Sequence, residues 1–133
     1  MRNNVDIQAL SCESLAYLGD AVWELHVRVN LLWPPRRMRQ THSEAVARVR
    51  AQTQASIIIK LQPHLDEAEQ DWVRRGRNAA GKIPRHLNPA TYRLATGLET
   101  LLGYLYLTSP ERLEVILDLC DEYYHHVSQS PAS

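Results

Sequence analysis

The chain has 133 residues, 44% of them apolar and 23% charged, with five Gly and seven Pro; this fills one core, not two, and excludes a disordered or fibrous chain. No run of about 18 uncharged apolar residues occurs, and MRNNVDIQAL has no apolar signal core, so the expectation is a cytoplasmic protein with no membrane-spanning segment. Fifteen Lys and Arg balance fifteen Asp and Glu, yet thirteen basic and only five acidic residues fall between Arg28 and Arg93, a local +8 flanked by −8, as suits a surface that holds a polyanion together with cations.

Five helical segments follow from caps and apolar spacing, and no segment alternates with the period of a half-buried strand, so the fold class is all-α. The first helix starts at Ser11 and runs to about Leu32, where Trp33-Pro34-Pro35 stops it, with Leu15, Leu18, Val22, Leu25 and Val29 as its apolar stripe. Thr41-x-x-Glu44 reads as a capping box for a second helix continuing to Leu61, before Pro63. Asp66-x-x-Glu69 opens a third, ending near Gly76, and Arg77–Leu87 reads as an exposed loop, RNAAGKIPRHL. Asn88-Pro89 caps a fourth helix through Leu107, and Ser109-Pro110 a fifth through about Val127. Residues 1–128 form one domain, and 129–133 read as a disordered tail. The fourth helix carries more apolar surface than one small core needs, which predicts an intersubunit surface on it.

The two most apolar helical stretches each hold one acid: Asp20 in SLAYLGDAVW and Glu99 in LATGLETLLGYLYLT. A buried carboxylate without compensation is expensive, so two such acids predict a shared cation. Gly19 and Gly103, with Ala21 and Gly97, would let two helix backbones approach. At about 100° per residue, Glu13 and Glu24 fall in the same wedge as Asp20. That wedge also fits a solvated acidic face. Carboxylate-only ligands suit Mg²⁺, with Mn²⁺ as the alternative, rather than zinc. Cys12 and Cys120 have no CxxC partner and read as small buried hydrophobes. The aromatics Tyr17, Trp23, Tyr92, Tyr104 and Tyr106 read as core or interface residues.

These same residues carry a resemblance. Leu15-Ala16-Tyr17-Leu18-Gly19-Asp20-Ala21-Val22 resembles the ribonuclease III signature E-x-x-L-E-F-L-G-D-A/S-V-L, with Glu13 matching its opening Glu. Thr96-Gly97-Leu98-Glu99-Thr100-Leu101-Leu102-Gly103 resembles the second motif, D-x-x-E-A-L-I-G. Arg74-Arg75-Gly76-Arg77-Asn78-Ala79 and Gly103-Tyr104-Leu105-Tyr106-Leu107 extend the likeness to the Mini-ribonuclease III subfamily, over about residues 13 to 107. Ala16 stands where ribonuclease III carries a second signature Glu, and Thr96 where its second motif opens with Asp. Both departures are characteristic of the subfamily, which also lacks a C-terminal double-stranded-RNA-binding domain.

The resemblance implies a homodimeric, metal-dependent endoribonuclease that cuts double-stranded RNA to leave 5′-phosphate and 3′-hydroxyl ends, with precursor large-subunit (23S) ribosomal RNA as substrate. It implies Asp20 and Glu99 as catalytic metal ligands, with Glu13 acting from the second shell or through water. Phosphate contacts would come from Arg74, Arg75, Arg77, Asn78, Lys82 and Arg85, with His42 behind a second basic cluster of Arg36, Arg37 and Arg39. The competing reading is a catalytically inactive double-stranded-RNA-binding module of the same fold, since two expected acids are missing. A third is a helical protein-interaction domain whose acidic wedge is mere surface.

Overall fold

The computed structural model describes residues 4–129, with side chains through His125. Among the described residues there are six α-helices and no strand: α1 (Cys12–Leu31), α2 (Met38–Val49), α3 (Ala51–Leu61), α4 (Glu67–Asn78), α5 (Pro89–Thr108) and α6 (Pro110–Gln129). Residues 130–133 of the expected tail lie outside the description, and Gln129 closes α6.

Local signals set most helix ends. The Ser11 hydroxyl accepts from the Ser14 N–H at 3.0 Å to start α1, and Asn88 does the same for Thr91 at 3.1 Å before Pro89 opens α5. Asp66 and Glu69 form a reciprocal capping box, the Asp66 carboxylate accepting from Glu69 N–H at 2.8 Å and the Glu69 carboxylate from Asp66 N–H at 2.9 Å.

α5 lies at the centre, packed against α1, α4, α3 and α6. Its buried residues, Ala95, Gly97, Leu98, Thr100, Leu101, Leu102, Gly103 and Leu105, cover most of its circumference. The apolar excess expected to form an intersubunit surface is therefore consumed inside the protomer by four neighbouring helices.

Exposed apolar surface lies instead on α1. Its buried residues are Leu15, Gly19, Trp23, Val27 and Leu31, while Leu25 and Val29 of the expected stripe are 65% and 55% exposed. A strict four-residue row advances about 40° per step and so runs obliquely across the helix. This row meets α5 near its start. Further along it meets α2, where Trp23 Nε1 donates to the Arg48 carbonyl at 3.1 Å, and beside it the His26 ring lies 2.8 Å from the Asp121 carboxylate of α6.

The second expected helix is two helices. Arg50 takes an extended ψ of 143° between α2 and α3, with neither Gly nor Pro at the break. The last carbonyls of α2 have other partners: Arg48 receives the Trp23 indole, and Ala47 receives the Thr53 hydroxyl at 2.8 Å. Side chains thus satisfy groups that a continuing helix would have bonded, and tertiary packing overrides propensity. The start also differs, since α2 begins at Met38 and Thr41 sits buried within it rather than capping it.

One ion pair joins α4 to α6. Glu69, 3% exposed, accepts from Arg112 Nε at 2.8 Å and Nη2 at 2.9 Å, while Nη2 also reaches the His64 carbonyl at 3.1 Å. The Arg112 guanidinium holds the Glu69 carboxyl below its usual range. Arg112→Leu would strand a buried carboxylate, and we expect a loss of about 3 kcal/mol, or about 10 °C in Tm, by thermal unfolding at neutral pH. Because the folded pKa is the depressed one, the pair's stabilisation is present above pH 4.5 and is lost as pH falls through the folded value. The gap between wild type and variant should therefore narrow in acid.

Candidate active site

α1 and α5 cross antiparallel at unusually close range. A Cβ on Gly19 would collide with the backbone carbonyl of Glu99, and one on Gly103 with that of Leu15. Each glycine thus meets the residue four positions before the other, and both must lack a side chain for the crossing to exist. The crossing brings the carboxyl groups of Asp20 and Glu99, 79 positions apart in the chain, into hydrogen-bonding contact.

Both acids line a cleft of about 350 Å³ whose walls include Glu13 and Tyr17 from α1, Tyr92 and Thr96 from α5, and Lys82 from the loop after α4. Asp20, expected to be buried among apolar neighbours, is exposed towards this cleft, and Glu99 is half-buried. Burial first, then the neighbouring Asp20 and the charge of Glu24, push the Glu99 carboxyl up to about 8, while an amide from Gln54 opposes the shift. The departures at Ala16 and Thr96 fall on the cleft wall itself. Thr96 turns its hydroxyl back to the Tyr92 carbonyl at 3.0 Å.

The remaining candidate residues separate into groups. The loop begins at Ala79, two residues later than expected, and carries Lys82 to the cleft while Arg85 stays exposed further along it. Asn78 is the last residue of α4 and is exposed. Arg74 and Arg77 line a neighbouring depression with Gln62, Pro63 and Gln70, and Arg74 is also ion-paired with Asp71. Arg75 lies over the Trp72 ring at 4.1 Å, and that ring stacks on Tyr104 at 4.9 Å. His42 lies apart, in a groove between α1 and α2 lined by Glu24, Arg28 and Met38.

Cys120 is fully buried, which raises its thiol pKa, whereas Cys12 is half-buried and lines the cleft. Of the aromatics, Trp23 is core, but Tyr17 is 85% exposed at the cleft mouth. Gln54, 2% exposed and absent from the sequence-derived set, reaches Glu99 from α3. The signal available for it is a polar residue on the same helix face as Ile57, Ile58 and Leu61.

Among the described residues no three His, Cys, Asp or Glu side chains form a ready metal cluster. Two carboxylates in contact still make a hard-oxygen donor pair of the kind that holds a hydrated Mg²⁺ or Mn²⁺, with water and phosphate oxygens completing the coordination. The donor set fits that ion and does not fit zinc.

The Ribonuclease III domain family matches residues 13–110, which span both acids and the loop between them. The chain belongs to the ribonuclease III family. Within it, the chain is 62% identical to Mini-ribonuclease 3 of Gloeobacter violaceus over 92% of this chain and 90% of that protein. It is 54% identical to Mini-ribonuclease 3 of a Synechocystis strain over 86% and 80% of the two chains. A crystal structure of the Fusobacterium nucleatum protein FN1578 superposes with a TM-score of 0.81 at 31% identity, covering 90% of this chain and 99% of that one. Membership places the chain among the endoribonucleases of this family, and no described helix is long and apolar enough to cross a membrane.

The Glu99 shift makes a prediction for the metal-free protein. A carboxyl raised from 4.5 to about 8 in the folded state gives stability that is complete below pH 4.5 and lost as pH rises through about 8. In EDTA, Glu99→Gln should therefore melt several degrees above wild type at pH 8 and level with it near pH 4.5, as read by calorimetry across that range.

Proposed function

We propose that the protein is a divalent-metal-dependent endoribonuclease that cuts both strands of double-stranded RNA. The observation that carries this reading is the meeting of Asp20 and Glu99 on the floor of a cleft that a loop bearing Lys82 closes on one side. Asp20 and Glu99 hold the ion, Mg²⁺ or Mn²⁺, and Glu13 on the same wall acts through water. When bound, the ion polarises the scissile phosphate and supplies an activated water, consistent with 5′-phosphate and 3′-hydroxyl products.

The chain's own residues do the rest. Lys82 and Arg85 hold phosphates beside the cleft, and Arg74, Arg77 and Asn78 extend the cationic surface along α4. Arg75 contributes charge from its place over Trp72. A-form RNA is read by phosphate and 2′-hydroxyl contacts across a shallow groove, which suits such a surface better than base-specific pockets. The half-buried Glu99 at the crossing keeps one ligand fixed while exposed Asp20 faces substrate. Maturation of precursor 23S ribosomal RNA in the cytoplasm is the biological role we assign, by resemblance to Mini-ribonuclease III.

We assign the protomer to a homodimer joined through α1. Leu25, Val29, Leu32, Met38 and Val46 are all exposed, and Leu32, Met38 and Val46 line a largely apolar groove of about 340 Å³ with Ala45, Val49 and His42. A two-fold pairing there sets two clefts against one duplex. Sedimentation should give twice the protomer mass, and Leu25→Glu with Val29→Glu should halve it; a monomeric wild type removes this assignment.

The decisive test is cleavage of end-labelled duplex RNA, with single-stranded RNA as control. We expect Mg²⁺-dependent cuts on both strands, abolished by EDTA and reduced by Asp20→Asn beyond the ~100-fold that even outer-shell changes cost around metals. Duplex binding without cleavage, even in Mn²⁺, would make the protein a binding module instead.

A further inference from the structure

α3 presents Gln54, Ala55, Ile57, Ile58 and Leu61 as its buried residues. On such a face an apolar side chain is the expected occupant, and a primary amide held at 2% exposure is costly unless it is bonded. Its partner is the Glu99 carboxyl, across the α3–α5 contact. The break at Arg50 makes this possible: it ends α2 and starts α3 afresh, so that Gln54 bonds its own N–H to the Arg50 carbonyl at 3.1 Å in the first turn and directs its side chain inward.

We infer that Gln54 is a positioning residue for the metal site, its amide N–H donating to Glu99 and holding that carboxylate towards the cleft. This rests on the metal reading of the cleft and goes beyond it. A carboxylate at the end of a flexible side chain has several rotamers, and a donor anchored in the core selects one of them. The amide is neutral, so it orients Glu99 without competing for the cation as an ammonium group would. In a site with Ala16 and Thr96 at two acid positions, a fixed orientation of the remaining pair replaces redundancy of ligands.

The test is equilibrium Mn²⁺ binding to the full chain without RNA, read from the paramagnetic resonance signal of the free aqua ion. Wild type is compared with Gln54→Met, which keeps the length of the side chain and removes its donor, and with Glu99→Gln and the double variant. Gln54→Met should weaken Mn²⁺ binding about tenfold while Tm stays level or rises. In the Glu99→Gln background it should add nothing, because Gln54 acts through Glu99.

Full affinity in Gln54→Met overturns the inference, as does an undiminished tenfold loss in the Glu99→Gln background. Should the Met variant not fold, Gln54→Asn retains the amide one methylene short and is expected to bind with an intermediate loss; full affinity there overturns the inference equally. A wild type that binds Mn²⁺ yet cuts no RNA defeats the nuclease reading and leaves Gln54 in place. A wild type that binds no Mn²⁺ defeats both.

Discussion

Everything at the cleft depends on two helices touching backbone to backbone. Gly19 and Gly103 let α1 and α5 cross so closely that each lies against the other's carbonyl, and a single methyl group at either position would wedge them apart. Ordinary helix pairs pack at about 8–10 Å through interdigitated side chains. At such a spacing two carboxyls beside the crossing would each be solvated separately. Here the crossing makes them neighbours, and two carboxyls in contact are a donor pair of the kind that suits a hard cation.

That proximity costs stability. Two like charges in contact, one half-buried, oppose each other until a proton or a cation intervenes, and the rest of the fold is arranged around the cost. α5 is buried on nearly all sides, so its position cannot relax to separate the acids. The Glu69–Arg112 pair ties α4 to α6, both of which pack against α5, and α4 in turn carries the loop that delivers Lys82. Close packing on four sides thus converts a locally unfavourable pair into a standing demand for positive charge. Lys82 brings one positive charge to the cleft wall, and in the proposed reading a divalent ion would answer the rest of that demand at the floor.

Most helix caps are legible in the chain, although Thr41 and Glu44, which read as a capping box, lie inside α2, and most tertiary chemistry is not legible. Ser11, Asp66 with Glu69, and Asn88-Pro89 each act within one turn, so reading them needs no knowledge of neighbours. The lone acids in apolar stretches were also legible as a pair, because an uncompensated charge demands a partner wherever it sits. The α2–α3 break was hidden, since it is made by Trp23 and Thr53 bonding to carbonyls of α2 rather than by a Gly or Pro at Arg50. The phase of α1 departs from the apolar stripe for a related reason: the leucine stripe and the true buried row differ by a fraction of a turn, and glycines carry no apolar signal although Gly19 marks the tightest contact. Gln54 is hidden because a glutamine in a helix reads as surface until the break is known.

The oblique course of that buried row explains how one helix serves three purposes. Leu15 and Gly19 face α5 at the start of α1, Trp23 further along bonds to the Arg48 carbonyl of α2, and Val27 and Leu31 continue the buried row. The surface left free must rotate by the same angle, so it too runs diagonally. Near the N-terminal end it opens as the cleft, with Glu13, Tyr17 and Asp20. Near the C-terminal end it becomes the apolar patch of Leu25, Val29 and Leu32. Asp20 and the exposed apolar patch therefore share one rigid rod, and the spacing between them is set by the helical rise, about 1.5 Å per residue, rather than by any loop. A partner docked on that patch would find the second cleft at a distance fixed by the same geometry, which is the requirement for cutting two strands of one duplex at a constant offset.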